Sequence, residues 1–367
     1  MTADAQTLAV PFTGTPSASR RRWIESAGFD SGFFAFSPFA VLPLVFLTAV
    51  VSPRFALLFF LLAFPHYVST FAFFFWDEYR DRYATRWFAF FAGPVLIAVA
   101  YWTLVYFQVP RIIQIVLFSW NIFHVSRQSC GILSIYRLRA GVFDVRSKVA
   151  TNAAIIAGSF FLAFWNIETH PQFGPALAEL SPLAAPMVKI ALGAVALAGG
   201  IALATSLFER KRAGRAPARP EWLFLFASIA IFHPYLWMRN SGIATAVMLL
   251  PHYLQYLGLV WLLHRRKFRE RIGSTPQQIV QRLSANAGLL VTCIVGVGMS
   301  FAVAESVLRH SGHASVFENI YLLLAFEHFY LDGLIWAFRD PKVRSSIGPW
   351  LTRYEPNAPA NIAATVG

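Results

Sequence analysis

Charge is what this sequence has least of. Only 13% of its 367 residues are charged and 57% are hydrophobic, whereas soluble chains carry about 25% charged residues. That shortfall excludes a globular domain bathed in water and leaves the lipid bilayer as solvent. Cysteine is nearly absent: Cys130 and Cys293 both fall in apolar runs, which excludes a disulfide framework and a thiolate zinc site. Several signatures are missing altogether. There is no His-Glu-x-x-His helix, no glycine-rich phosphate loop and no Gly-x-Ser-x-Gly elbow, so these metalloprotease, nucleotide and hydrolase motifs give no lead. No cleavable signal peptide is expected either. Residues 1–19 are polar or small, and Arg20, Arg21 and Arg22 precede an apolar run too long for a signal core, which predicts a retained first helix.

What the sequence does have is long apolar runs. Spans are expected near 32–52, 55–76, 87–108, 112–136, 149–166, 184–207, 222–238, 242–264, 285–306 and 316–338, each close to the ~20 residues that cross a ~30 Å hydrocarbon core. The fold class is therefore all-α: a polytopic integral membrane helical bundle of about ten transmembrane helices. Residues 1–31 are an N-terminal tail, 32–338 one transmembrane domain and 339–367 a C-terminal tail. Abundant Phe and Trp, 36 and 11 residues, suit lipid-facing surfaces and interfacial belts. Pro65, Pro186, Pro234 and Pro251 lie within or at the start of spans, where such prolines often mark sites.

Lys and Arg set the direction. Arg80, Arg82 and Arg86 occupy the second loop, Arg137, Arg139, Arg146 and Lys148 the fourth, and Arg210, Lys211, Arg212, Arg215 and Arg219 the sixth. The eighth holds Arg265, Arg266, Lys267, Arg269 and Arg271, and the tail adds Arg339, Lys342 and Arg344. The alternating loops offer little more than Arg54, Arg111, Arg239 and Arg309. The positive-inside rule then places both termini in the cytoplasm. It also explains the net charge of +13 without a nucleic-acid partner. Segment 265–284 has the apolar-basic pattern of a short surface helix, and the tail after Trp350 is expected to be poorly ordered.

Two tripeptides echo each other: Pro65-His66-Tyr67 and Pro251-His252-Tyr253. Each is followed two spans later by another histidine, His124 and His328. This suits a parallel internal repeat, helices 1–4 echoed by 7–10. Of nine histidines, His170, His310 and His313 fall in outer loops and His264 at a span end, and all four read as interfacial. The other five, His66, His124, His233, His252 and His328, each fall near the middle of a span. One buried imidazole alone is ordinarily a hydrogen-bonded packing residue. Five at one depth point instead to a metal, since neutral imidazoles suit Fe, Zn, Cu or Ni.

Neighbouring polar residues extend the set. Asp332, four residues after His328, shares its helix face and serves either as a ligand or as the acceptor that fixes the imidazole tautomer. Glu327 projects about 100° away from His328. Arg127 and Gln128 follow His124 by three and four residues. A guanidinium this deep calls for a carboxylate partner, Asp332 or Glu327, in either a structural ion pair or a functional role. Tyr67, Tyr253, Tyr256 and Tyr330 either line the cavity or pack between helices. His233 is a fifth ligand or a proton donor.

With one histidine per helix rather than clustered His-x-x-His-His boxes, the pattern resembles the bacterial carotene-cleaving oxygenases of the Brp/Blh type. The likeness lies in topology and in the 58-residue spacing of His66 and His124. It implies an iron held by histidines from separate helices, with His252 and His328 completing the set, in a bacterial-type inner membrane. Two features depart from that family: Pro-His-Tyr stands where it has Pro-His-Gly, and His252 and His328 lie on two helices rather than one. The expected function is a membrane-embedded metal-dependent oxidoreductase, a non-haem iron oxygenase acting on a lipid-soluble isoprenoid or acyl substrate that arrives through the membrane lipids. Fe(II) is the expected cofactor, haem needing only two of the five histidines, and oxygen chemistry raises the question of an electron donor as partner. A secondary transporter using the His, Glu, Asp and Arg residues is the competing expectation.

Overall fold

Helix starts follow local chemistry. Asn240, Asn286 and Asp144 each accept a backbone N–H from the first turn, at 3.1, 3.0 and 3.0 Å, the usual way to satisfy an orphan donor. Pro110 opens another helix, where its missing N–H costs nothing. The computed structural model describes residues 23–46, 59–76, 79–140, 142, 144–269 and 275–352. Among them every regular element is a helix.

The principal helices are α1 (Phe60–Phe71), α2 (Gly93–Tyr106), α3 (Pro110–Arg139), α4 (Val145–Ala163), α5 (Ala184–Arg212), α6 (Arg219–Ala230), α7 (Ser241–Lys267), α8 (Thr275–Ala285), α9 (Ala287–His310), α10 (Ala314–Ile335) and α11 (Pro341–Thr352). Four are long and apolar enough to cross a membrane: Phe88–Tyr106, which extends α2 through a π-turn, then α5, α7 and α9. These four divide sharply by burial. Only 11–17% of α2, α5 and α9 is buried against 78% of α7. A helix that is apolar yet unburied needs lipid around it. Hence α2, α5 and α9 form the outside and α7 the centre.

Helices α3, α4 and α10 are long, at 30, 19 and 22 residues, but carry polar side chains that turn inward. The chain through the described part of the expected first span is broken into a π-turn Ser31–Ala35, Ser37–Ala40 and Leu42–Phe46, after a short Ala27–Asp30 helix, with Pro38 and Pro43 second in the last two pieces. Residues 47–58 lie outside the described residues. Span 222–238 is also interrupted: α6 ends at Ala230 and Pro234–Trp237 resumes as a short turn. Within the expected surface segment 265–284, α8 covers the part from Thr275, while residues 270–274 lie outside the described residues. Parts of both expected tails pack into the bundle. Asp30 is buried and accepts Ile24 N at 2.6 Å and the Tyr136 hydroxyl at 2.9 Å, while α11 buries Val343, Ile347 and Leu351. Residues 353–367 lie outside the described residues.

Contacts sort the loops into two ends. Arg82 pairs with Asp340 at 2.9 Å, Arg266 reaches Glu25 at 2.6 Å and the Trp350 carbonyl at 2.8 Å, and Arg137 and Arg210 share Glu221. The basic loops, the N-terminal segment and α11 thus meet at one end. At the other, Arg111 faces Glu179 at 3.5 Å, Lys189 bonds Glu168 at 3.0 Å and Thr169 donates to the Arg239 carbonyl at 3.0 Å. We refer to these as the basic and the opposite end.

The Glu221 cluster locks α3, α4, α5 and α6 together. Arg137 is bonded to Glu221 at 2.9 Å, the Ser147 carbonyl at 3.1 Å and Thr151 at 2.6 Å, and Arg210 grips both carboxylate oxygens at 2.5 and 2.9 Å. All three charged side chains are at most 6% exposed. Glu221→Ala leaves two buried guanidinium groups unpaired and is expected to cost about 3–5 kcal/mol, read as a lower unfolding midpoint in detergent; an unchanged midpoint contradicts the lock.

Candidate metal centre

Four histidines converge. His66 comes from α1, His124 from α3, His252 from α7 and His328 from α10, and they are 0, 7, 0 and 1% exposed. One ring nitrogen from each lies within 4.8 Å of the others, so the group could hold a metal ion. Ring centroids stand 4.3 Å apart for His66 and His328, 4.7 Å for His66 and His252, and 5.0 Å for His124 with both His252 and His328. Four nitrogens bound at ~2.1 Å to one ion lie no more than ~4.2 Å apart. A few tenths of an ångström of inward movement by each ring closes the difference.

The donor atoms are otherwise orphaned. Both nitrogens of His66 and of His252, and Nε2 of His124 and of His328, are buried without a hydrogen-bond partner, which makes six atoms. At about 1–3 kcal/mol each, six would cost as much as a whole domain's net stability of about 5–15 kcal/mol. A metal relieves one nitrogen per ring, four of the six. The residues present fit such an ion: four buried nitrogen donors without a competing partner.

One helical turn towards the basic end lies a second polar layer, built by residues four after each histidine: Thr70, Gln128, Tyr256 and Asp332. Thr70 Oγ1 is 2.8 Å from His328 Nδ1 and 3.4 Å from Asp332 Oδ1. Tyr256 donates its hydroxyl to Asp332 Oδ1 at 2.6 Å, and the Trp336 indole donates to the Tyr256 oxygen at 3.3 Å. When His328 binds through Nε2, its Nδ1–H donates to Thr70, whose own hydroxyl donates to the Tyr256 oxygen at 3.0 Å or to Asp332 Oδ1 at 3.4 Å, and either path ends on the carboxylate. Asp332 therefore holds the ring's tautomer at one remove. The Gln128 amide donates to the His252 carbonyl at 3.2 Å. On the opposite side the hydroxyls of Tyr67, Tyr253 and Tyr321 meet, at 3.3 and 3.2 Å from Tyr67.

No family model matches the chain, and neither does any curated protein or solved structure. The chemistry of the site is carried by its own geometry.

Several expected members stand elsewhere. His233 is outside the converging set: its Nε2 faces the Pro38 carbonyl at 3.2 Å and its Nδ1 accepts the Trp237 indole at 3.0 Å. Helix α6 stops before it, so depth counted along an unbroken span misplaces it. Arg127 is exposed, on the same outward face of α3 as Phe123, and forms no ion pair with Asp332 or Glu327. Tyr330 turns away, donating to the Ala89 carbonyl at 2.9 Å with its hydroxyl against Gly93. Glu327 is half-buried and not among the converging donors, and its Oε2 has no hydrogen-bond partner. His264 is buried rather than interfacial, accepting the Trp76 indole at 3.1 Å. Thr70 escaped sequence reasoning, although the same four-residue offset that singled out Asp332 and Gln128 applies to it.

Removing the tautomer-fixing chain should loosen the site without dismantling it. Thr70→Val and Asp332→Asn are each expected to weaken metal affinity by ~10–100-fold, measured by chelator competition. Arg127→Gln should leave it unchanged. Equal losses in all three would show that the effect is general destabilisation.

Proposed function

We propose that this protein is a membrane-embedded, metal-dependent oxidoreductase, a non-haem iron oxygenase acting on a lipid-soluble isoprenoid or acyl substrate. The observation that carries this reading is the group of four buried imidazoles from four helices, each with at least one ring nitrogen that has no hydrogen-bond partner. All-nitrogen neutral donors suit a borderline divalent ion, and four ligands leave open positions. Bound iron supplies dioxygen activation there. The chain's own residues supply orientation and charge: Thr70 and Asp332 set the His328 ring, and Asp332 is the nearby anion that offsets a divalent charge. The resemblance to the Brp/Blh-type oxygenases adds weight to oxygen chemistry without naming carotene as substrate. Lipid access follows from the proposed ten-span topology with both termini in the cytoplasm of a bacterial-type inner membrane, which the gathering of basic loops at one end supports. The Pro-His-Tyr echo fits a parallel repeat, His66 and His252 facing each other as His124 and His328 do. A carrier would want carboxylates and a charged path at the centre; here Arg127 faces outward and no carboxylate belongs to the converging set.

Metal analysis of detergent-purified protein is the deciding measurement. Stoichiometric iron is expected, lost in both His66→Ala and His328→Ala while His233→Ala retains it. Absence of any bound metal would sink the proposal, and zinc or copper in place of iron would remove its oxygenase part.

A further inference from the structure

Four phenols surround the histidines, and one of them is differently placed. The Tyr256 ring lies 4.5 Å from that of His66 and 5.6 Å from that of His328. The ring of Tyr253 is as close to His66, at 4.7 Å. What separates the two is the fate of a proton. A buried phenol that gives up an electron must also shed its proton, because a buried uncompensated cation is prohibitively costly. The hydroxyls of Tyr67, Tyr253 and Tyr321 face one another, and a phenol is a poor proton acceptor. Tyr256 instead donates to the Asp332 carboxylate at 2.6 Å.

Tyr256 also has a way out. Its oxygen accepts the Trp336 indole N–H at 3.3 Å, with ring centroids 6.1 Å apart. Trp336 caps α10 at the basic end, three residues before Arg339, and is half-buried rather than enclosed. A branch leads on through Phe73, 5.3 Å from Trp336 and 5.1 Å from Trp76. The Lys267 ammonium sits 3.8 Å from the Trp76 ring centroid. A cation there favours the electron-rich ring and opposes its oxidation. The branch is therefore closed, and the route ends at Trp336.

We propose that Tyr256 and Trp336 form a one-electron relay between the histidine site and the basic end of the bundle, with Asp332 taking the Tyr256 proton. This rests on the oxygen-chemistry reading of the site, with dioxygen as terminal oxidant and a soluble one-electron carrier at the basic end as reductant. One electron leaves the Tyr256 phenol for the site as its O–H proton passes to Asp332 Oδ1, giving a neutral phenoxyl radical and a carboxylic acid. Trp336 then gives one electron to the phenoxyl, and Asp332 returns the proton, restoring phenol and carboxylate. The carrier finally reduces the Trp336 radical cation.

The test is electron paramagnetic resonance on purified protein loaded with Fe(II), its iron content measured, then exposed to dioxygen and frozen. A tyrosyl signal is expected that narrows when ring-deuterated tyrosine is incorporated. It should be lost in Tyr256→Phe and retained in Tyr253→Phe, with iron content equal to wild type in both. With ascorbate in the buffer, the radical should outlive that of wild type in Trp336→Phe. Iron bound with no protein radical, or with a radical that survives Tyr256→Phe, overturns the relay and leaves the iron reading standing. An unchanged lifetime in Trp336→Phe overturns the exit through that residue. Failure to bind iron removes both readings together.

Discussion

Imidazole nitrogens that are buried and unpaired cannot be left so, and the centre of this bundle is organised around that constraint. Four helices far apart in sequence each place one histidine in the same small volume, where six ring nitrogens are buried without a hydrogen-bond partner. A shared ion would partner one nitrogen of each ring at once, four of the six. It would also act as a cross-link, because a site assembled from positions 66, 124, 252 and 328 does not exist in the unfolded chain, so binding energy becomes folding energy. Helix α7, the most buried of the four membrane-length helices, provides the rigid post against which the other three donors are brought.

Charge balance explains where the carboxylate sits. A divalent ion on four neutral donors keeps its full charge in a medium of low dielectric, where an uncompensated ion is expensive. Placing Asp332 directly in the ring would occupy an open position and reduce reactivity. Set one turn away and linked through Thr70, the carboxylate would compensate the charge of a bound divalent ion without taking a place among the four donors. It also fixes which nitrogen of His328 is available. Tyr256 and Trp336 extend the same layer outward, so compensation, orientation and the proposed electron route share one set of hydrogen bonds.

Much of this was legible because helices in lipid write their surroundings into composition. α5 and α9 are apolar on nearly every face and could be read off directly, as could α7. The histidines were found by depth within a span, which works while a helix is continuous. It fails for His233, where the helix ends at Ala230 and the chain turns before Pro234. The finer question of which way a side chain points lay beyond the pattern. Arg127 and Gln128 are adjacent, yet one more residue carries the chain 100° round the helix, enough to put the first outside and the second towards the centre. Asp30 is an opposite case. It sits in what reads as a polar tail, and only the tertiary contact with Tyr136 shows that the segment belongs to the bundle.

The polar core is ordered along its length, and the order carries a direction. Phenol hydroxyls meet towards the opposite end, imidazoles occupy the middle, and the layer with the carboxylate lies towards the basic end. Such an arrangement is not symmetric in the face of an incoming group. Negative charge and proton traffic are supported from the side of Asp332, where the hydrogen bonds continue to the half-buried Trp336. The phenolic side offers aromatic faces and neutral hydroxyls, the surroundings that an apolar molecule with little or no charge tolerates best. An ion held between the two layers would thus meet electrons and protons from one side and a lipophilic substrate from the other.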